Sequence, residues 1–202
     1  TRAHELRSPL AVARTAAHLL TKNPPGSSEP ASLLAAIDDE CDRLNHTVTR
    51  LLDFARPLTP QPTHFRTDGL AADLRSRFRD GLCAASSATS RLAYADRNLI
   101  LQAMVNLVTN AIAAGSTTVR VRIYDTVAID EQPQTVFECS DNGSGMDEVT
   151  LKRSTVPLFT TKSDGNGLGL PLTQKIADIH NGLLVLHSAP GHGTVVKLII
   201  PW

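Results

Sequence analysis

The sequence predicts an α+β protein, a helical hairpin followed by an α/β sandwich. Three observations predict it. Apolar residues recur at alternating spacings of three and four along the first 56 positions. Three prolines then crowd the seven residues 56–62. Beyond them, helical and strand patterns mix without strict alternation, which fits an α+β sandwich better than a doubly wound sheet.

The first helix is read from Leu6, Leu10, Ala13, Ala17 and Leu20, and the second from Leu34, Ile37, Cys41, Leu44, Val48, Leu51 and Ala55. Both are heptad seams of the kind that pack as bundles. Pro24, Pro25 and Gly26 end the first helix, and Pro30 suits the opening turn of the second. Two narrow seams bury little alone, so a four-helix bundle formed by a homodimer is the expected completion. A monomeric hairpin docked on the rest of the chain is the alternative. The prolines of 56–62 stop the second helix and read as a linker. The expected divisions are 1–57 for the hairpin, 58–66 for the linker and 67–202 for the sandwich. Within the last, helices are expected at 68–79, 97–114 and 168–180, the third closed by Asn181-Gly182. Strands are expected at 118–124, 135–140, 183–188 and 194–200.

Composition narrows the function. Twenty basic and twenty acidic residues cancel, so no basic face for nucleic acid is expected. No apolar run reaches the roughly 18 residues of a spanning helix. Three widely spaced cysteines, Cys41, Cys83 and Cys139, favour a reducing compartment and buried thiols. The chain opens only three residues before His4, inside a helical pattern. A natural protein rarely begins there, so an upstream sensor or membrane part is expected.

The residues suited to chemistry lie at the two ends. His4 falls off the apolar seam, where a second domain can reach it, and neutral imidazole is a competent nucleophile near pH 7. Glu5 follows it, although neighbouring helical side chains diverge by about 100°. Asn106 and Asn110 are four apart on one helix face, and their amide oxygens suit Mg²⁺ that also touches phosphates. Asp141-Asn-Gly-Ser-Gly145 follows an apolar strand. Its carboxylate can accept a hydrogen bond from an exocyclic amine such as adenine's, while glycines let a flat ring approach; a plain turn reads equally well. Gly165-Asn-Gly-Leu-Gly169 runs into a helix whose N-terminus can cradle phosphate, without the Gly-Lys-Ser/Thr of a Walker loop. Between these loops, Thr- and Ser-rich residues suit a mobile lid in which Lys162 meets the γ-phosphate and Phe159 anchors the lid.

His4-Glu-Leu-Arg-Ser-Pro-Leu10 resembles the phospho-acceptor box of two-component sensor histidine kinases. Asn106–Ala111, Asp141–Gly145, Pro157–Lys162 and Gly165–Leu170 resemble that family's asparagine, first glycine, phenylalanine and second glycine boxes, in its order. Gly191-His-Gly-Thr194 resembles its closing glycine-threonine turn, and the segment 51–57 with the short lid is most similar to the nitrogen-regulation branch. The resemblance implies a Bergerat-type ATP-binding sandwich behind a dimeric hairpin. It implies ATP and Mg²⁺ as cofactors, with Asp141 on the adenine amine and Asn110, with Asn106, on the metal. Gly143, Gly145, Gly165, Gly167, Leu168 and Gly169 would shape the nucleotide pocket together with Phe159, Thr161, Lys162 and Thr194. His4 would take the γ-phosphoryl group, assisted by Glu5 and Lys162, and pass it to an aspartate on a response regulator receiver domain. A cytoplasmic core follows, joined to a membrane only through the upstream part. Ser8 stands where Thr or Asn accompanies phosphatase activity in that family, so that activity is left open. Asn166 and Pro171 also depart from its pattern. Competing readings are a hydrolysing ATPase of the same fold, whose acidic base near the first Asn is replaced here by Asn106, and a non-enzymatic scaffold.

Overall fold

The computed structural model describes residues 15, 17, 34–35, 37–39, 41–42, 52, 54–78, 82–89, 92–128, 131–162, 165 and 167–202. They fall into two compact units, Thr1–Arg56 and Pro57–Trp202. In the first unit the described residues up to Ala55 are helical. Of the expected seam, Leu34, Cys41 and Ala55 are exposed and Ile37 is half-buried. Cys41 therefore departs from the expectation of buried thiols, because within this unit its helix face meets no covering partner among the described residues. Cys83 and Cys139 are buried. No helix among the described residues is long and apolar enough to cross a membrane.

The second unit runs β1 (Thr63–Phe65), α1 (Thr67–Arg77), β2 (Cys83–Ala88), β3 (Ala93–Ala95), α2 (Arg97–Ala113), β4 (Val119–Val127), β5 (Pro133–Asp141), α3 (Glu148–Arg153), α4 (Gly169–Ile179), β6 (Leu183–Ser188) and β7 (Thr194–Pro201). Five strands form one sheet in the order β2-β4-β5-β7-β6; β2 joins β4 in parallel and every other pairing is antiparallel. β1 and β3 make a separate antiparallel ribbon.

Register decides which side chains meet the helices. Ile123 pairs with Phe137, and Phe137 with Leu198; Val121 pairs with Cys139, and Cys139 with Val196. Side chains alternate along a strand, so these rows share one face. They join Leu70 and Leu74 of α1, Ile100, Met104, Leu107 and Val108 of α2, and Ile176 of α4 in a single core. The opposite face is polar where it carries Arg122, Glu138 and Lys197. Glu138 is almost wholly buried there, its Oε1 accepting from Arg122 Nε at 3.0 Å and its Oε2 from the Tyr124 hydroxyl at 3.0 Å. Burial alone would push this carboxyl up, but hydrogen bonds from Arg122 and Tyr124 and the charges of Arg122 and Lys197 outweigh it and hold it below the ordinary carboxylate range.

The three helices expected in the sandwich and its last four strands stand within a few residues of their predicted positions. The two-residue closure of α4 divides its labour. Asn181 takes the left-handed conformation (φ 54°), while Gly182 donates to the Ala177 carbonyl and passes so near Ile199 O that a Cβ would sit 2.3 Å from it. His180 ties that end of α4 to the start of α2. Its Nε2 accepts from the Asp96 N–H at 2.9 Å, so Nδ1 carries the proton donated to Ile176 O. Asp96 in turn caps Asn98 and Leu99 through Oδ1 and receives Gln61 N–H on Oδ2. Residues 61–65 are thus held to the sandwich by Asp96 and by the pairing of β1 with β3.

Candidate functional site

β5 delivers Asp141 to the sheet's end, beside the C-terminus of α2. The carboxylate Oδ1 accepts from Gly143 N–H at 2.8 Å and from the Ser116 hydroxyl at 3.1 Å. Oδ2 has no hydrogen bond among the described residues. Gly145 is left-handed (φ 65°), and a Cβ there would lie 2.0 Å from the Ala189 carbonyl, so only glycine lets this loop close on the 189–193 turn. Ser188 completes the join: its Oγ donates to Gly193 O at 2.8 Å, takes Met146 N–H at 2.9 Å and lies 2.9 Å from Thr194 Oγ1.

The segment between the glycine loops is more ordered than a Thr- and Ser-rich lid suggests. It contains α3, capped where the Asp147 carboxylate accepts Thr150 N–H at 2.7 Å and braced by an ion pair between Glu148 and Lys152. After α3, Leu158 adopts φ 65° and donates its N–H to Gly167 O, fastening the lid to the second glycine loop. Arg153 lies 4.2 Å over the Phe159 ring, a cation–π contact between α3 and the following turn, within the same segment. Gly165 packs on Thr160, and Gly167 on the Phe159 carbonyl.

At the head of α4 no side chain caps the helix. Pro171 has no N–H, so the amides of Gly169 and Leu170 are the donors its first turn offers. By contrast α2 and α3 are both capped by aspartates. Gly169 lies against the Asn110 amide, and Lys162 Nζ donates to the Asn110 carbonyl at 3.0 Å. Burial lowers the Lys162 pKa, a shift that the Asp141 charge partly opposes. A half-buried ammonium beside uncapped amides is chemistry suited to an anion.

These elements enclose a cavity of about 180 Å³. Its walls include Asn110, Asp141, Gly145, Phe159, Thr161, Lys162, Gly165, Gly167, Gly169 and Thr194, all expected from sequence. Asn106, Gly143 and Leu168 do not line it. Gly143 packs behind Asp141 on Ala114 and Ser116, and Leu168 is buried at the N-cap of α4. Asn106 is one turn back from Asn110, with its Nδ2 buried and without a partner. His4, Glu5, Ser8 and Asn166 lie outside the described residues. Sequence reasoning passed over Cys139, Met146 and Val196, which also line the cavity. Strand alternation carries the signal for two of them, since Cys139 and Val196 are paired on the helix-facing side.

The donor set fits Mg²⁺ arriving with phosphate. Among the described residues no cluster of histidine, cysteine or carboxylate holds a metal unaided. Asn110, on the cavity wall, offers the hard, neutral amide oxygen that suits Mg²⁺ and leaves most positions to phosphate and water; Asn106 offers the same group one turn back, off that wall.

A carboxylate at a strand end, two glycine loops and an uncapped helix facing one cleft define a nucleotide-binding α/β sandwich. The model of the histidine kinase-, DNA gyrase B- and HSP90-like ATPases matches residues 95–202, and the chain belongs to that family; with the His Kinase A (phospho-acceptor) domain matched at 2–59, it is the catalytic core of a two-component sensor histidine kinase. Its sandwich is an ATP-binding domain. The chain is 33% identical over 208 residues to the signal transduction histidine-protein kinase AtoS of Escherichia coli (strain K12), across 98% of this chain and 33% of AtoS. To the sensor histidine kinase ZraS of Klebsiella oxytoca it is 32% identical over 212 residues, across 98% of this chain and 44% of ZraS. The chain thus spans a third to under half of these curated relatives. In fold it is similar to the histidine kinase ThkA, solved in complex with the response regulator protein TrrA (TM-score 0.66, 22% identity, 98% of this chain and 59% of that one).

Proposed function

We propose that the chain autophosphorylates His4 from ATP and passes the phosphoryl group to an aspartate of a response regulator receiver domain. The observation that carries this is a phospho-acceptor domain match and an ATP-binding domain in one chain. A ring nitrogen of His4 attacks the γ-phosphorus, the bond to the β–γ bridging oxygen breaks, and ADP leaves. Glu5 receives or relays the imidazole proton. Asp141 holds the adenine amine, the amides of Gly169 and Leu170 face phosphate, and Lys162 balances charge on the terminal phosphate. Asn110, with Asn106, would hold Mg²⁺, and the charge supplied there would offset that of the phosphates. Catalysis is therefore mainly positioning and electrostatics.

The hairpin supplies the acceptor and the homodimer. Exposed Leu34 and Cys41 on an apolar seam support a second copy as its covering. This reading puts the core in the cytoplasm, with its ATP. Incubation with γ-labelled ATP and Mg²⁺ tests the proposal. Label is expected on the protein, lost in acid, retained in alkali and absent from His4→Ala, which still binds ADP. Acid-stable label, or unchanged labelling of His4→Ala, refutes it.

A further inference from the structure

The turn between α2 and β4 does more than reverse the chain. Gly115 is left-handed (φ 76°), with its N–H on Ile112 O and the Ser116 N–H on Ala111 O, the paired bonds of a Schellman closure. That closure fixes Ser116, which is 8% exposed, directly behind Asp141. Asn142 locks the turn from the other side. Its Oδ1 accepts from Thr117 N–H at 3.0 Å and Thr118 N–H at 2.9 Å, and its Nδ2 donates to Thr117 Oγ1 at 2.8 Å. Ser144 N–H adds a bond to Ala114 O. Gly143 closes the stack, for a Cβ there would meet Ser116 Oγ at 2.7 Å.

We propose that Ser116, which does not line the cavity, is a positioning residue that makes the site selective for a purine bearing a 6-amino group. Its hydroxyl and the Gly143 N–H both donate to Oδ1 of Asp141, which fixes the plane of the carboxylate. Oδ2 is then a pure acceptor. An exocyclic amine matches it, whereas a 6-oxo purine sets acceptor against acceptor, a mismatch that costs more than a missing bond. Without the Ser116 donor, one N–H alone holds Oδ1 and the carboxylate can rotate.

This inference rests on reading Asp141 as the partner of the adenine amine, and the experiment separates the two. Dissociation constants are measured by titration for ATP and for purine riboside triphosphate, which lacks the 6-amino group, on the intact chain and on Ser116→Ala. The wild type is expected to prefer ATP. Ser116→Ala is expected to weaken ATP roughly three- to tenfold and to leave purine riboside triphosphate unchanged. Equal weakening of both nucleotides, or of neither, overturns the role of Ser116 while the Asp141 reading stands. A wild type that does not distinguish the two nucleotides overturns both. Should Ser116→Ala fail to fold, Ser116→Cys, of similar size and a weaker donor, is measured against the same two ligands and judged by the same outcomes.

Discussion

Gly191 and Gly193 form a matched pair of positions at which backbone strain and packing can be separated. Both are left-handed, at φ 75° and 73°. A Cβ on Gly191 meets nothing within 4 Å, whereas one on Gly193 would sit 2.0 Å from the Asp141 carbonyl oxygen and 2.9 Å from Asn142 Cα. Gly191→Ala therefore pays only for the left-handed conformation, about 1–2 kcal/mol. In a unit of this size that lowers Tm by a few degrees, at about 2–4 °C per kcal/mol. Gly193→Ala carries the same strain, and the Asp141 carbonyl oxygen, 2.0 Å from the added Cβ, must also retreat by about 1.4 Å to reach ordinary contact. That carbonyl belongs to the residue proposed to hold adenine, and losing a hydrogen bond to its carboxylate costs about 1.5–3 kcal/mol, roughly ten- to a hundredfold in affinity. Thermal melts and ADP titration of the two variants are the assay. Gly191→Ala is expected to bind ADP like the wild type, and Gly193→Ala to lose at least tenfold in affinity. Equal melts and equal affinities would refute the claim that the 189–193 turn sets the position of Asp141.

Lys162→Met removes a charge that burial disfavours. Because the lysine's pKa is depressed in the fold, the cost of its charge is present at neutral pH and disappears as pH rises toward the ordinary lysine range. The variant is expected to melt no lower than wild type at pH 7 while losing ATP affinity. Titration with ATP at pH 7 is the check, and equal affinities of the two proteins would count against contact with phosphate. Glu138→Gln is expected to destabilise by about 1.5–3 kcal/mol at pH 7 through its charged hydrogen bonds. A carboxyl with a lowered pKa contributes stability above its unfolded value of about 4.3 and loses it as pH falls through the folded value. Urea unfolding is thus expected to show the gap closing below about pH 4, and a gap independent of pH would refute the pairing with Arg122.

Elements with a strong period of their own were legible from the chain. α2 repeats apolar residues at helical spacing along Ile100, Met104, Leu107, Val108 and Ala111, and β6 is bounded by turn residues on both sides. The two glycine loops, Asp141 and Lys162 announced themselves because special backbone geometry and isolated charge leave marks in composition. α3 was also there to be read: Asp147, with Glu148 at the first turn and Lys152 four residues on, is a start signal inside what composition marks as lid.

Other features carry no local mark. Cys83–Ala88 is an alanine- and serine-rich run of poor strand propensity, and it extends only because β4 offers a parallel edge over its whole length. Thr63–Phe65 reads as linker until β3, some thirty residues on, pairs with it. What the sequence determined alone was each element whose hydrogen bonds and apolar period close within itself, together with the chemistry carried on its loops. Tertiary structure decided that Ser116 stands behind Asp141 and that Gly193 passes beside it. These contacts join residues 25 and 52 positions apart, and only the closing of the sheet against its helices brings such residues together.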